Sequence, residues 1–322
     1  MILTVLLFIV GLILLIKGGD WFVDGATGIA KIFRIPDILI GATVVSIGTT
    51  LPEVMVSANS AIGGHGEIAY GNAIGSIICN TALIAAITIA IRPAKIESKS
   101  LIVPVCFFFG SAVLYSAVAY FFGEFSRTIG FILLAIFAAY ITVQIIAALK
   151  SAKYDETELD EPHEKKGLVL DILFLVIGAA LIAFGADMLV DNGIVIAQKL
   201  GVPESVIGLT FIAIGTSLPE LVTAITSLVK GHGALSLGNI IGANLFNLVL
   251  VSGVSVVVSP FAVPSAKQLF GINSSLVVDI PVMFAVMAIL TLPALISKKL
   301  SRIQGISLLV IYAAFCTIQF AF

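Results

Sequence analysis

The chain has 322 residues, 59% hydrophobic and only 11% charged, with a net charge of −2 and a mean hydropathy of +1.17. Soluble domains carry about 25% charged residues, so this composition excludes an ordinary soluble fold. The net charge carries no information about partners, because most of the surface of such a chain faces lipid.

The charges cluster between apolar runs long enough to cross a bilayer, which takes about 20 residues each. In chain order these runs predict ten spans, at 2–30, 36–63, 67–91, 100–122, 128–149, 167–199, 203–229, 233–258, 274–296 and 303–321. The first has no basic segment before it and no small-residue cleavage site after it, so it reads as a retained span rather than a signal peptide. Between the fifth and sixth lies the one long hydrophilic stretch, 150–166. It lacks the alternating ligands and central Gly of an EF-hand loop and reads as a solvated linker. Cys79, Cys106 and Cys316 all fall inside apolar runs and read as small packing residues.

Basic residues set the expected orientation. With the N-terminus outside, Lys31, Arg34, Arg92, Lys95, Lys99, Lys150, Lys153, Lys165, Lys166, Lys230, Lys298, Lys299 and Arg302 all fall in cytoplasmic loops. Only Arg127, Lys199 and Lys267 fall outside, and Lys17 lies within the first span. The positive-inside bias therefore places both termini outside the cell membrane.

The chain also repeats itself at an offset of 167 residues. Gly11, Asp20 and Asp24 match Gly178, Asp187 and Asp191. The segment from Gly41 to Glu53, which ends Gly-Thr-Thr-Leu-Pro-Glu, matches Gly208 to Glu220, which ends Gly-Thr-Ser-Leu-Pro-Glu. Gly64-His65-Gly66 matches Gly231-His232-Gly233, Gly71-Asn72-x-x-Gly75 matches Gly238-Asn239-x-x-Gly242, and Asn80 matches Asn247. Five spans per half is an odd number, so the second half enters the membrane upside down. The expected fold is an all-α polytopic membrane protein of ten transmembrane helices in two inverted five-helix repeats, 1–149 and 167–322, joined by the linker 150–166. Inverted repeats are a transporter architecture, with the site where the repeats meet.

Glu53 and Glu220 fall in the middle of apolar spans two and seven. A charge at the bilayer centre costs about 2.5–3.5 kcal/mol on insertion scales, so a repeated acid there points to function. Thr49 and Thr216 lie four residues earlier, on the same helix face. Pro52 and Pro219 remove an N–H and are expected to break the helix and free the carbonyls of Gly48 and Gly215. Carboxylates, hydroxyls and freed carbonyls make an all-oxygen cage suited to Ca2+, and the lack of His or Cys ligands disfavours Zn2+ or Cu+. Ser76 and Asn80 on span three, and Asn247 with Asn244 on span eight, offer further oxygens. The Gly71/Gly75 and Gly238/Gly242 pairs permit close helix approach. Asp20, Asp24, Asp187 and Asp191 read as interfacial or packing groups, with Lys17 available to Asp20. His65 and His232 read as solvated.

At these residues the sequence resembles the cation/Ca2+ exchanger superfamily, specifically the prokaryotic sodium/calcium exchangers. The resemblance implies a core of spans two, three, seven and eight, past which spans one and six slide. It implies Glu53 and Glu220 as the main Ca2+ ligands, with the Thr49 and Thr216 carbonyls beside them. Flanking Na+ sites would draw on the Ser46 and Ala213 carbonyls, Ser76, Thr50 and Ser217. The implied activity is Na+/Ca2+ antiport, with transported ions and the bilayer as partners, and no cofactor, nucleic acid or obligate protein partner. Many members carry Asp at the position of Asn247 and Ser at that of Ala243. K+- or H+-coupled exchange on the same scaffold is the alternative, followed by a channel or an intramembrane enzyme using paired acids.

Overall fold

The structure, a computed structural model, describes residues 2–95, 98–154, 165–199, 215, 217–265, 268–269 and 271–321. These form ten helices: α1 Ile2–Ile32, α2 Asp37–Ile62, α3 Gly66–Ile91, α4 Ser98–Phe121, α5 Arg127–Tyr154, α6 Lys165–Lys199, α7 Leu218–Val229, α8 Gly233–Val258, α9 Ser275–Ser297 and α10 Arg302–Ala321. Nine of them are long and apolar enough to cross a membrane, and α7 is a shorter apolar helix. The first part of the predicted seventh span, 203–214, lies outside the described residues, as does most of the linker, 155–164. Helices are what such apolar runs must form, because in hydrocarbon every backbone N–H and C=O has to be satisfied within the segment.

Packing sorts the helices into an inner and an outer set. In α8, 83% of the most apolar stretch is buried, whereas in α6 only 11% is, and α1 is nearly as exposed. The exposed residues of the outer helices, such as Ile9, Ile13, Leu170 and Val176, are large and apolar, as lipid contact requires. The inner set is α2, α3, α7 and α8, and α1 and α6 lie together beside it.

The helices α1 and α6 run antiparallel. Gly11 lies against Gly185, and Gly18 against Gly178, with the backbones so close that a methyl group on any of the four would meet opposing backbone at under 3 Å. Gly11 is the repeat counterpart of Gly178, and Gly18 that of Gly185. Each contact therefore becomes the other when the halves are exchanged, which is the signature of a two-fold axis. Because the two helices are antiparallel, that axis is perpendicular to them and lies in the bilayer plane, so the repeats are inverted.

Two short strand pairs obey the same symmetry. In one, β1 (Ala94–Lys95) of the first half pairs with β6 (Lys299–Leu300) of the second. In the other, β2 (Glu124–Phe125) pairs with β3 (Phe261–Ala262), where the Phe125 ring packs at a tilt against Tyr115 and Phe261. Strands β4 (Gln268–Leu269) and β5 (Ile272–Asn273) form a local hairpin. The inner turns repeat as well: Gly64 and its counterpart Gly231 take φ of +81° and +87°, a region that suits glycine.

The predicted Gly-x-x-x-Gly contacts form in the second half. Gly238 lies against the backbone of Ile38, and Gly242 against Ala42 and Ser46. No described atom lies within 4 Å of a methyl group placed at Gly71 or Gly75.

Candidate functional site

The acid-bearing helices differ from the symmetric break expected of their prolines. In the first half α2 stays helical through Pro52. Its irregularity lies upstream, in a π-helical turn at Gly41–Val45. In the second half Ser217 leaves helical geometry, at φ −91° and ψ 6°, and α7 starts at Leu218 with Pro219 in its first turn. A proline there loses no helical hydrogen bond. Glu220 thus sits in the first turn of α7, where the helix dipole favours an anion.

Further π-turns begin at each of the two asparagines singled out from the sequence, Asn80–Ala85 in α3 and Asn247–Val251 in α8. Such turns are frequent at functional sites. The Asn80 turn packs against α7 and the Asn247 turn against α2, so each amide-bearing turn meets the acid-bearing helix of the opposite half. Ser252 Oγ donates to the Asn247 carbonyl at 3.0 Å, closing its turn.

Glu53 and Glu220 are both completely buried, and their carboxyl groups adjoin each other across the interface between α2 and α7. The Glu220 carboxyl also adjoins Thr49 and Thr50. Ser46, Thr49, Thr50, Ser76, Asn80, Ser217 and Asn247 are all buried. Ser217 adjoins Cys79, one residue before Asn80. Thr216 and Ala213 lie outside the described residues.

Among the described residues, the four carboxyl oxygens, Thr50 Oγ1, Ser217 Oγ, Asn80 Oδ1 and Asn247 Oδ1 have no hydrogen-bond partner. Buried polar atoms are almost always paired, so eight partnerless oxygens from six residues call for a guest rich in positive charge. Asn247 Nδ2 donates to the Ala243 carbonyl at 3.0 Å, which fixes the amide and leaves its oxygen available.

Residues not singled out as ligands position those that were. Thr49 Oγ1 donates to Asn239 Oδ1 at 3.2 Å. Ser46 Oγ lies 2.7 Å from the Gly41 carbonyl and 2.9 Å from that of Asn239. Asn72, the counterpart of Asn239, donates to Ser57 Oγ at 2.8 Å and to the Glu53 carbonyl at 3.4 Å. Two intramembrane amides at repeat-equivalent positions were the sequence signal for this role. Asn244 donates to Thr81 Oγ1 at 2.7 Å and approaches Met287 Sδ. A narrow cavity bounded by Phe22 of α1 and by Ala179 and Ile182 of α6 reaches Thr49, Pro52 and Pro219.

Two surface expectations are corrected. Asp20 pairs with Lys230 rather than Lys17: Lys230 Nζ is 2.8 Å from Asp24 Oδ1 and 3.6 Å from Asp20 Oδ1, and it donates to the Asp20 carbonyl at 2.9 Å. His232 is not simply solvated, since its Nδ1 is 2.8 Å from Asp37 Oδ2. Both partners come from the other half, some 200 residues away in the chain, which adjacency in sequence cannot reveal. His65 is exposed, as expected.

A helical membrane protein with inverted repeats and a buried acid pair at their junction is a secondary transporter, not an enzyme. The sequence profile of the sodium/calcium exchanger protein family matches residues 3–146 and 170–321. The inner membrane protein YrbG of Escherichia coli strain K12 is 37% identical over 81% of each chain. The sodium/calcium exchanger MaX1 of Methanosarcina acetivorans is 30% identical over 98% of each chain. Among solved structures, the sodium-calcium exchanger NCX_Mj soaked with Na+ and Sr2+ superposes with a TM-score of 0.82, at 32% identity and 98% coverage of both chains. The chain belongs to the sodium/calcium exchanger protein family.

Proposed function

We propose that this protein exchanges Na+ for Ca2+ by alternating access, holding its ions near mid-membrane between the two halves, with both termini outside. The reading rests above all on the eight partnerless oxygens around the adjoining Glu53 and Glu220. Ca2+ takes six to eight oxygen ligands, carboxylates among them. In this reading Glu53 and Glu220 hold Ca2+ with the carbonyls of Thr49 and Thr216, Asn80 and Asn247 complete the cage, and Ser46, Ala213, Ser76, Thr50 and Ser217 serve Na+. The halves 1–149 and 167–322 act as the two repeats, tied by 150–166. Two carboxylates buried without a cation are costly, so the core crosses only when loaded, and release of one ion awaits another.

The direct test is 45Ca2+ uptake into liposomes that hold the purified protein and internal Na+, with separate K+ and H+ gradients as further arms. Uptake driven by Na+ alone supports the reading; uptake driven only by K+ or H+ replaces it with the alternative coupling. Protons compete for the same carboxylates, so uptake is expected to fall as the medium is acidified.

Two smaller effects are expected from supporting residues. Asn239→Ala removes the acceptor for Thr49, and unpairing a buried group costs about 1–3 kcal/mol. The expected result is an apparent Ca2+ affinity lowered roughly five- to hundredfold, with protein yield maintained. Lys230 fastens α1 to the end of α7, whereas its counterpart Gly63 has no charge to offer Asp187 and Asp191. Lys230→Gln is expected to change the exchange rate by no more than about fivefold, as a part-exposed pair allows. The difference from the unmodified protein should shrink at high ionic strength.

A further inference from the structure

In an α-helix each carbonyl accepts from the N–H four residues on. Where α2 leaves its π-turn, Gly41–Val45, the N–H groups at the cap go to the carbonyls of Gly41 and Thr43. The Ala42 carbonyl between them is passed over, and Ala42 is completely buried. A buried carbonyl without a donor costs about as much as a lost hydrogen bond. The donor comes from α5: Tyr140 Oη donates to the Ala42 carbonyl at 2.9 Å. Gln144, one turn further along α5, donates from Nε2 to Tyr140 Oη at 2.8 Å. The phenol oxygen accepts from Gln144, so its own proton is committed to Ala42.

α5 is otherwise an outer helix, with only 17% of its most apolar stretch buried, yet Tyr140 and Gln144 are both buried. The Tyr140 ring packs edge-on against Phe107 and Phe246, at centroid separations of 5.3 and 5.8 Å. Phe246 immediately precedes the Asn247 turn of α8. One side chain of an outer helix therefore bears on a π-turn in each half. Reversion of the α2 turn to plain α-helix would give Ala42 a backbone partner and rotate the helix beyond it by roughly 100°. The Tyr140 hydroxyl removes that incentive. Ser46 directly follows the turn, and its hydroxyl reaches back to the Gly41 carbonyl at 2.7 Å. Further along, Thr49 and the Glu53 carbonyl have separate holds on Asn239 and Asn72.

We propose that Tyr140, oriented by Gln144, is a positioning residue of the ion site, which fixes the α2 turn so that Ser46 is presented to Na+. The proposal rests on the Na+/Ca2+ reading above, in which Ser46 serves Na+. It assigns to the phenol hydroxyl an effect on Na+ binding that Ca2+ binding does not share, because the Ca2+ ligands of α2 are anchored elsewhere.

The test is Tyr140→Phe, which keeps the ring and removes only the hydroxyl. The purified full-length variant in liposomes is assayed for 45Ca2+ uptake against internal Na+ and against external Ca2+. The Na+ concentration for half-maximal uptake is expected to rise roughly five- to tenfold, and that for Ca2+ to stay within about twofold. Melting temperature in detergent, followed against Na+ without Ca2+, is expected to show the same weakening. Gln144→Leu keeps the phenol but no longer orients its proton, so a smaller shift in the same direction is expected. Equal shifts for both ions, or a lower yield and rate with neither constant moved, overturn the proposal. If Tyr140→Phe does not fold, an unchanged Na+ constant in Gln144→Leu overturns it as well. Absence of Na+-driven uptake in the unmodified protein removes the exchange reading, and the melting titration alone then decides whether Tyr140 serves Na+ binding.

Discussion

Glu53→Gln and Glu220→Gln are each expected to abolish Na+-driven Ca2+ uptake while leaving the protein folded in the membrane. Both carboxylates are completely buried and adjoin each other. Removing one member of a buried charged set costs about 2–5 kcal/mol in binding, or roughly thirty- to several-thousandfold in Ca2+ affinity. The effect on the empty protein runs the other way. Two like charges close together without a cation repel, so a Gln that removes one of them should leave thermal stability unchanged or raise it. Added Ca2+ should then raise the melting temperature of the unmodified protein, because a ligand that binds only the folded state stabilises it. It should do so far less for either variant. Ca2+ uptake that persists in both variants would remove these residues from the site; loss of both uptake and folded protein would make them structural instead.

Gly242→Val is the second change expected to have a large effect. Gly242 has the Ala42 Cα within 2.7 Å of where a first side-chain carbon would sit, and Ser46 Oγ is closer still. Backbone cannot give way as a flexible side chain does. Overpacking of this kind typically costs about 1–3 kcal/mol, and the strain falls on Ser46, one turn before Thr49 and Thr50. The variant is expected to melt at lower temperature in detergent and to lose most of its Ca2+ uptake. Gly110→Ala in α4 is the control: no described atom lies within 4 Å of the added carbon, so stability and uptake should both hold. Equal losses in the two variants would mean that glycine in a membrane helix matters here for some reason other than close packing.

Much of the fold was legible before any coordinates. Apolar length marks a span because the bilayer has a fixed thickness, and the offset of 167 residues aligned two acids that have no ordinary reason to lie in lipid. The Gly238/Gly242 contact was readable for the same reason, since only small residues let helices touch. Less legible was how each Gly-Thr-(Thr/Ser)-Leu-Pro-Glu segment folds. Near-identical residues run through one helix at Pro52 and start another at Leu218. Local propensity allows both, and the choice belongs to whatever packs outside the segment. Asn239, Lys230 and His232 were underrated because their partners, Thr49, Asp24 and Asp37, lie in the other half of the chain.

The sequence by itself determined that this is a membrane protein of two repeats with one deep acid in each, because hydrophobic length, charge and repetition are properties of the chain that no folding alters. Only the tertiary structure decided that the two acids adjoin, that each asparagine-bearing turn packs on the acid-bearing helix of the other half, and which oxygens are left without partners among the described residues. Those are distances between segments far apart in the chain, fixed by the antiparallel packing of one half on the other.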